Sequence, residues 1–267
     1  MDCAALLFTP WLSRWHLIRD GEPFSSLNGH LLPVLHRGEP AMLKISRAAE
    51  EQAGAALMAW WNGNGAAPVL AHEGEALLMA RAMGSTTLAE KVEHDDPTAT
   101  SILCSVVQRL HATRSIAAPA LVPLQTWFAS LLESNLGGLF EHSAASARDL
   151  LASQTDLVVL HGDIHHGNVL DFGESGWLAI DPKGLWGERG FDYANLFCNP
   201  GAEALRPERF ERRLEIVTRA TGLERRRLLQ WILAWAGLSA CWMLEDGAQP
   251  GHILDVAALA QAMLAQN

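Results

Sequence analysis

Residues 157–181 read LVVLHGDIHHGNVLDFGESGWLAID, and this stretch decides how the rest of the chain is interpreted. Its four leading apolar residues predict a short buried strand, which ends in a polar loop at residues 161–168. Two apolar runs then flank a turn bounded by Gly173 and Gly176, and this arrangement predicts a hairpin. The stretch therefore places acid, amide and histidine side chains together at the end of a buried strand.

Two oxygen-bearing side chains are predicted to meet across this hairpin. If Phe172 faces Trp177, the same register places Asn168 directly opposite Asp181. Directly opposed residues have Cβ atoms about 5 Å apart, so the amide oxygen and the carboxylate would converge. Hard oxygen ligands at that spacing suit a Mg²⁺ ion that carries nucleotide phosphates. Asp163, on the preceding loop, would be free to act as a base or to orient a nucleophile.

The rest of the chain divides into a strand-rich part and a helix-rich part. Apolar runs predict strands at 31–35, 41–45, 69–71 and 76–80, with a helix at about 48–61 between the second and the third. Asp96 as N-cap and Pro97 at the next position open a predicted helix to about 112. Further helices are predicted near 124–136, 144–152, 207–221, 224–244 and 253–266.

These elements predict an α+β fold with two lobes. Residues 1–80 would form a small antiparallel sheet with one helix, and residues 81–267 a larger, mostly helical lobe, with a hinge at about 79–84. The chain has 267 residues, of which 49% are apolar and 19% charged, so it can bury a sizeable core. This composition excludes a disordered or collagen-like protein.

The charge and the cysteines limit the possible partners and location. A net charge of −10 argues against a nucleic-acid partner, because phosphate backbones require basic patches. It is compatible with a cationic small molecule, although acidic surfaces often serve only solubility. The four cysteines are far apart, no signal peptide is evident, and the apolar stretch at 231–244 is too short to span a bilayer. We expect a cytoplasmic protein without a membrane partner.

Lysine is rare in this chain. Only three of its 20 basic residues are lysines, at positions 44, 91 and 183. Lys44 lies in the apolar strand at 41–45 and is followed by Glu50 and Glu51 on the predicted helix. Taken alone, a lysine in such a strand could simply protect a sheet edge from pairing with another strand. Its rarity, together with the two acids that follow, favours a functional role instead.

This set of residues resembles the aminoglycoside phosphotransferase family, which has a protein-kinase-like fold. The pattern His161-x-Asp163-x-x-x-x-Asn168 is similar to the kinase catalytic loop, and Asp181 is similar to the metal-binding aspartate. The resemblance covers nearly the whole chain in the expected lobe order. It implies that Asp163 is the catalytic base and that Asn168 and Asp181 hold Mg²⁺.

The same resemblance implies a nucleotide site in the first lobe. Lys44 is similar to the lysine that contacts the phosphates of ATP, and Glu51 to its ion-pair partner, with Glu50 as the alternative. An exposed ion pair contributes about 0–1 kcal/mol, so we expect Lys44 to matter more for nucleotide use than for stability. Kinases cradle the phosphates with a GxGxxG loop, which this chain lacks. Ser25 and Ser26 stand in that place and could hydrogen-bond to phosphate oxygens.

The nearest branch of the family by this resemblance is that of streptomycin 6-phosphotransferases and hydroxyurea phosphotransferases. It is similar in the segments at 24–26, 60–63, 161–166 and 177–182. The branch implies ATP- and Mg²⁺-dependent phosphorylation of a cationic aminoglycoside, namely streptomycin at its 6-hydroxyl. Hydroxyurea, a sugar or an amino alcohol is the alternative substrate. The acids that could bind such a cation are Glu174, Glu188, Glu245 and Asp246.

Several polar residues allow more than one interpretation. We expect His161 to brace the loop, whereas His165 and His166 could contact substrate, position the loop or face solvent. Asp192 resembles a family aspartate that braces the catalytic loop, but it could equally cap a helix.

Two other function classes were weighed against the kinase. Gly162-Asp163-Ile164-His165 also resembles the first motif of calcineurin-like metallophosphatases. That metal centre needs further histidines downstream, and only His252 follows residue 166. A kinase-like binding module without catalysis is the third class. The joint presence of the lysine at 44 and the polar residues at 163, 168 and 181 argues against it.

Overall fold

The computed structural model describes residues 3–26 and 29–266, and its first lobe is a sheet with two helices. The elements are α1 (Cys3–Arg14), β1 (Ile18–Arg19), β2 (Phe24–Ser26), β3 (Gly29–His36), β4 (Glu39–Ile45), α2 (Ala49–Trp61), β5 (Val69–Glu73) and β6 (Ala76–Ala80). The strands pair antiparallel in the order β1-β3-β4-β6-β5. Strand β2 pairs with the first residues of β3, along the edge that β1 also uses.

Strict alternation along β4 gives this sheet two different faces. Ala41, Leu43 and Ile45 are fully buried in one cluster with Phe8 of α1, so α1 covers that face. The intervening side chains point to the opposite face, and Lys44 is among them. Helix α1 is an addition to the one predicted helix of this lobe. Pro10 lies inside it, and proline normally argues against a helix interior.

The second lobe contains the remaining elements, and most of them are helices. They are α3 (Leu88–Leu110), β7 (Val122–Pro123), α4 (Leu124–Trp127), α5 (Ala129–Glu133), α6 (Leu139–Ala152), β8 (Leu157–Leu160), β9 (Val169–Asp171), β10 (Trp177–Ala179), β11 (Leu185–Glu188), α7 (Phe191–Ala194), α8 (Pro207–Thr221), α9 (Arg225–Glu245) and α10 (His252–Ala265). Strands β7, β11 and β8 form one small sheet, and β9 and β10 form a hairpin.

Helix α9 is the central helix of this lobe. Among the described residues it is the one helix long and apolar enough to cross a membrane, but 67% of its apolar window is buried inside the protein. Neighbouring helices α6 and α10 pack against it. Its apolar composition is therefore explained by its place in the core.

Helix α3 differs from its prediction at its start. It begins at Leu88 and is kinked at Asp95, whose backbone leaves the helical region. The Asp95 carboxylate accepts a hydrogen bond from the Thr98 amide at 3.2 Å, so Asp95 is the cap of the second segment. The predicted cap, Asp96, is instead buried and forms an ion pair with Arg213. The prediction of Asp96 as N-cap was wrong by one residue.

The hairpin of β9 and β10 is shifted by one residue from the predicted register. Trp177 pairs with Asp171, and Phe172 donates its amide to the carbonyl of Gly176 at 2.9 Å. The turn between them holds three residues, 173–175, instead of four. Gly173 and Gly176 both have positive φ, which allows this tighter turn.

Candidate active site

The polar loop after β8 is held by a buried aspartate. Asp192 accepts hydrogen bonds from the amides of His161 and Gly162, both at 2.8 Å, and contacts Nε2 of His111 at 2.7 Å. Burial alone would raise the pKa of Asp192, but the hydrogen bond and the charge of His111 outweigh it and the pKa is lowered. Asp192 is the second residue of α7, so it braces the loop and does not cap the helix.

His161 also braces this loop. Its ring is fully buried, accepts the amide of Asp163 at Nδ1 (3.2 Å) and contacts the carbonyl of Ile180 through Nε2 (2.8 Å). An accepting Nδ1 leaves the proton on Nε2, which therefore donates to the carbonyl. Burial lowers the pKa of His161, consistent with this neutral ring. The ring ties the loop to the hairpin strand and stacks on Trp61.

Asp163 lines a large cleft, and its carboxylate is held from both sides. Oδ1 accepts from Nδ2 of Asn195 at 2.8 Å, and Oδ2 is 3.3 Å from Nδ2 of Asn168. The same Asn168 nitrogen donates to the main-chain carbonyl of Asp163 at 2.9 Å. Nε2 of His165 lies 3.9 Å from Oδ2. The carboxylate is thus oriented by amides and remains about one-third exposed, at 32%.

The register shift changes how Asn168 and Asp181 are related. The carbonyl of Asn168 accepts the amide of Ile180 at 2.9 Å, so Asn168 stands opposite Ile180 and not opposite Asp181. The predicted direct pairing was wrong by one residue. Asp181 leaves the strand in a left-handed conformation with φ of 64°, and this breaks the alternation of side chains beyond the hairpin. Its carboxylate reaches Lys44 in the first lobe.

Five alternating charges join β4, α2 and the segment after β10. Lys44 forms ion pairs with Asp181 and with Glu51. Nζ of Lys183 lies 2.8 Å from Glu50 and 3.4 Å from the second oxygen of Glu51. Glu51 is therefore the partner of Lys44, and Glu50 is the partner of Lys183.

Lys183 is a component of the site that the sequence analysis did not assign. Burial would lower its pKa, but the hydrogen bond and the charge of Glu50 outweigh it and raise the pKa, so Lys183 is protonated. It lines the same cleft as Asp163. Its signal in the sequence is the rarity of lysine, which applies to position 183 as well as to position 44.

A glycine sets the distance between α2 and the segment 181–183. A Cβ atom at Gly54 would lie 2.2 Å from the carbonyl oxygen of Pro182, which is well inside van der Waals contact. Any other residue at this position would push α2 away from the segment 181–183. Gly54 thereby allows the five-charge cluster to form.

The donor atoms suit a magnesium ion bound together with a nucleotide. Burial would raise the pKa of Asp181, but the charge of Lys44 and its hydrogen bond outweigh it and lower the pKa, so this carboxylate is ionised. Nδ2 of Asn168 donates to the main-chain carbonyl of Asp163, so its Oδ1, a hard oxygen ligand, is left to bind a metal ion. Mg²⁺ commonly takes one or two protein ligands and completes its shell with phosphates and water.

The donor set does not suit the metallophosphatase alternative. In residues 3–26 and 29–266, no group of three or more His, Cys, Asp or Glu side chains is arranged to hold a metal ion. A dinuclear centre needs such groups around both ions.

A cavity of about 170 Å³ lies between the lobes, next to the Lys44–Asp181 pair. Ser26 and Met79 line it, and Met79 belongs to the predicted hinge. Both serines are exposed; Ser26 donates to the carbonyl of Gly29 at 3.3 Å, and Ser25 contacts Nδ1 of His30. Leu27 and Asn28, which complete the predicted phosphate loop, lie outside the described residues.

The larger cleft, about 860 Å³, is lined by Asp163, acids and tryptophans. Of the predicted substrate acids, Glu245 and Asp246 line it at the end of α9, and Glu50 joins them from α2. The prediction for Glu188 was wrong, because it is buried and binds Arg227 and Trp231. Glu174 is exposed in the β9–β10 turn, away from the cleft. Trp127, Trp235 and Trp242 form an aromatic wall that the sequence analysis did not identify.

The two neighbouring histidines of the loop have different surroundings. His165 lines the larger cleft, and its Nδ1 accepts the amide of Gly167 at 3.0 Å. His166 is buried, and neither ring nitrogen has a hydrogen-bond partner among the described residues. Burial lowers the pKa of His166 to about 3, so the ring is neutral. His165 can meet a substrate, whereas His166 packs inside the lobe.

The ion pair of Lys44 and Glu51 is buried, which changes the expected effect of Lys44→Ala. The side chains are only 11% and 5% exposed, so the expectation based on an exposed pair was wrong. Breaking a buried pair costs about 3–5 kcal/mol, and Lys183 near Glu51 should keep the loss at about 3 kcal/mol. At about 2–4 °C per kcal/mol, we expect Tm to fall by roughly 6–12 °C, together with a large loss of nucleotide use.

A double variant separates the two effects. Lys44→Met with Glu51→Gln removes both charges, so most of the stability should return while nucleotide use stays lost. Calorimetry and nucleotide titration measure the two quantities. Full nucleotide affinity in the double variant would contradict a phosphate-binding role for Lys44.

Comparisons with known proteins agree with this architecture. Residues 14–247 match the family described as aminoglycoside/hydroxyurea antibiotic resistance kinase. The chain is 50% identical to streptomycin 3''-kinase of Klebsiella pneumoniae, over 88% of this chain and 92% of that protein. It is 32% identical to streptomycin 6-kinase of Streptomyces glaucescens, over 94% of this chain and 86% of that protein.

Comparison with solved structures also finds an aminoglycoside phosphotransferase fold. A crystal structure of a thermostable mutant of aminoglycoside phosphotransferase APH(4)-Ia, in ternary complex with ADP and hygromycin B, superimposes with a TM-score of 0.65. Sequence identity is 14%, and the match covers 97% of this chain and 96% of that one. The predicted protein-kinase-like, two-lobed α+β fold is confirmed. From residue 14 to residue 247, the chain belongs to the aminoglycoside/hydroxyurea antibiotic resistance kinase family.

Proposed function

We propose that this protein transfers the γ-phosphate of ATP to a hydroxyl of streptomycin. The observation that carries the proposal is the position of Asp163, whose carboxylate is held by two amides at the wall of a large cleft lined with acids and tryptophans. Lys44 and Asp181 line the separate cavity between the lobes, where the nucleotide would bind. Use of ATP suits the cytoplasmic location predicted from the sequence.

Each group of the site has a defined part in this reaction. Lys44 would bind the phosphates, and Glu51 would keep its ammonium in place. Asp163 would orient the acceptor hydroxyl and accept its proton as the phosphoryl group is transferred. Asn168 and Asp181 would hold Mg²⁺, which when bound supplies neutralisation of phosphate charge. Catalysis of this kind depends mainly on positioning and charge, which the fixed carboxylate provides.

The cleft suits the guanidinium groups of streptomycin. Glu245 and Asp246 at the end of α9 offer carboxylates, which can bind a guanidinium through two parallel hydrogen bonds. Trp127 and Trp242 pack edge to face with ring centroids 5.3 Å apart, beside these acids in the same cleft. Planar guanidinium groups stack well on such aromatic faces.

The relatives favour the 3''-hydroxyl as the site of phosphorylation. Identity to the Klebsiella pneumoniae 3''-kinase is 50%, against 32% to the 6-kinase of Streptomyces glaucescens. The 6-hydroxyl predicted from the sequence is the second candidate. The two products differ in the fragment that carries phosphate, because the 3''-hydroxyl is on the amino sugar and the 6-hydroxyl on the streptidine ring.

The test is phosphorylation of streptomycin by the purified protein with Mg-ATP. We expect turnover of streptomycin, with phosphate on the amino-sugar fragment by mass spectrometry, and none of kanamycin-type aminoglycosides, which lack the guanidinylated ring. Phosphate on streptidine would select the 6-hydroxyl. Turnover of hydroxyurea or a neutral sugar, with none of streptomycin, would refute the substrate and keep the kinase.

The acids of the cleft provide a further prediction. Glu245→Gln should raise KM for streptomycin by roughly tenfold, because a hydrogen-bonded charge pair contributes about 1.5–3 kcal/mol. KM should also rise with salt, since screening acts over about 8–10 Å at physiological ionic strength. Glu174→Gln removes an exposed carboxylate outside the cleft and is the matched control. An equal effect of both changes would show that only net charge matters.

A further inference from the structure

The Asp163 carboxylate is the end of a chain of hydrogen bonds that begins at a buried ion pair. Arg213 is fully buried, pairs with Asp96, and donates through Nη1 to the main-chain carbonyl of Asn199 at 2.7 Å. Nδ2 of Asn199 donates to Oδ1 of Asn195 at 2.8 Å and to its carbonyl at 3.0 Å. Nδ2 of Asn195 in turn donates to Oδ1 of Asp163.

The hydrogen-bonding capacity of each group fixes which atom donates and which accepts along this hydrogen-bond chain. An ionised carboxylate only accepts, so Asn195 must present its NH₂ group to Asp163. Its carbonyl oxygen then points away and needs a donor, which Asn199 supplies. Without Asn199, the Asn195 oxygen would lose its donor, and within this hydrogen-bond chain only the contact with Asp163 would still hold the orientation of the amide.

Burial of Asn195 restricts its amide to this hydrogen-bonded arrangement. Asn195 is only 3% exposed, so solvent has little access to its amide. Asp163 is about one-third exposed, and its Oδ2 is the oxygen with the longer protein contact, at 3.3 Å. A firm bond to Oδ1 sets the rotation of the whole carboxylate and so directs Oδ2 to the cleft.

We propose that Asn195 and Asn199 are positioning residues that fix the rotation of the Asp163 carboxylate, with Asn199 acting through Asn195. This inference rests on the proposed function, because it assigns Asp163 as the group that accepts the proton of the acceptor hydroxyl. A misplacement of reacting groups by about 1 Å can cost about 10²-fold in rate. Asn195 and Asn199 also line the larger cleft, but we expect loss of this hydrogen-bond chain to act on kcat more than on the binding of either substrate.

Steady-state kinetics of single variants provides the first part of the test. Asn195→Ala should lower kcat by about tenfold to hundredfold, as expected for loss of a hydrogen bond to a charged group. Asn199→Ala should lower kcat by less, about threefold to tenfold, because it loosens the amide without removing it. KM for streptomycin and for Mg-ATP should stay within about twofold, as interactions needed only in the transition state require. Asn135→Ala, an exposed amide outside the site, is the control and should match the parent.

The second part separates positioning from general damage. In an Asp163→Ala background, Asn195→Ala should change the residual rate by less than about twofold, because its target is absent. An undiminished loss in that background, a loss found entirely in KM, or an unchanged kcat would each overturn the proposal.

A crystal structure of the Asn199→Ala variant provides a readout that does not depend on the substrate. We expect the Asn195 amide, and with it the Asp163 carboxylate, to be rotated relative to the parent. An unmoved Asn195–Asp163 pair would refute the role of Asn199. If the parent protein phosphorylates no aminoglycoside, the proposed function fails, whereas this structural result still decides the positioning role.

Discussion

Replacing Asp163 by asparagine should lower kcat by about 10²-fold or more while Mg-ATP still binds. Removal of a general base typically costs 10²–10⁴-fold, about the range expected here. Asparagine keeps the size of the side chain, and Asp163 lines the larger cleft and not the cavity beside Lys44. The loss should therefore appear in the chemical step and spare nucleotide affinity.

The measurement is kcat with streptomycin together with nucleotide affinity by calorimetry. Asp149→Asn, at an exposed position on α6, is the matched control and should match the parent. Turnover of the Asp163 variant within a few-fold of the parent would contradict its assignment as the base. Loss of nucleotide binding would instead place Asp163 in the nucleotide site.

The local pattern of the sequence was sufficient for the fold class. Short apolar runs bounded by turn residues predict strands β4 and β6, and the structure shows buried Leu43 and Leu78 on one face of the sheet. Runs of this kind are local, so they can be found in one sequence. Helix α1 was not predicted, because a proline at position 10 argues against a helix there. The helix is stabilised by packing of Phe8 on the sheet.

The hairpin shows where pattern alone falls short. Three or four residues in its turn are both compatible with Gly173 and Gly176, and the two choices differ by one step of register. The structure has the three-residue turn, so Asn168 faces Ile180. The left-handed backbone at Asp181 then redirects its side chain in a way that no alternation rule predicts.

Contacts between residues distant in sequence also could not be predicted. Asn195 reaches Asp163 across 32 positions, and Lys183 reaches Glu51 across 132. Both partners are polar residues without a spacing motif, so only the folded chain brings them together. The burial of Lys44 with Glu51 was hidden for the same reason, because a strand pattern does not say what covers its other face.

Asp181→Ala should be among the most damaging single changes, with a loss of activity of roughly 10³-fold and a protein that still folds. In kinases of this fold both the lysine–glutamate pair and the metal-binding aspartate must be in place. Here one carboxylate contacts Lys44, and the charge of Lys44 keeps it ionised despite its burial. Loss of one preorganised group at a transferring phosphoryl group typically costs about 10²–10³-fold, and the upper end is expected here because Asp181 also contacts Lys44.

The protein should still fold because the change adds only local backbone strain. A control variant at another left-handed position carries the same strain. Alanine at a φ of 64° is strained, by about 1–2 kcal/mol. Asp156 has φ of 48° and lies outside both cavities, so Asp156→Ala carries a similar strain and is the control. We expect similar drops in Tm for both variants, with activity lost only in the Asp181 variant. The parent should also lose activity on chelation of divalent ions. Full activity with chelator, or equal kcat in the two variants, would show that Asp181 holds no ion in the reaction.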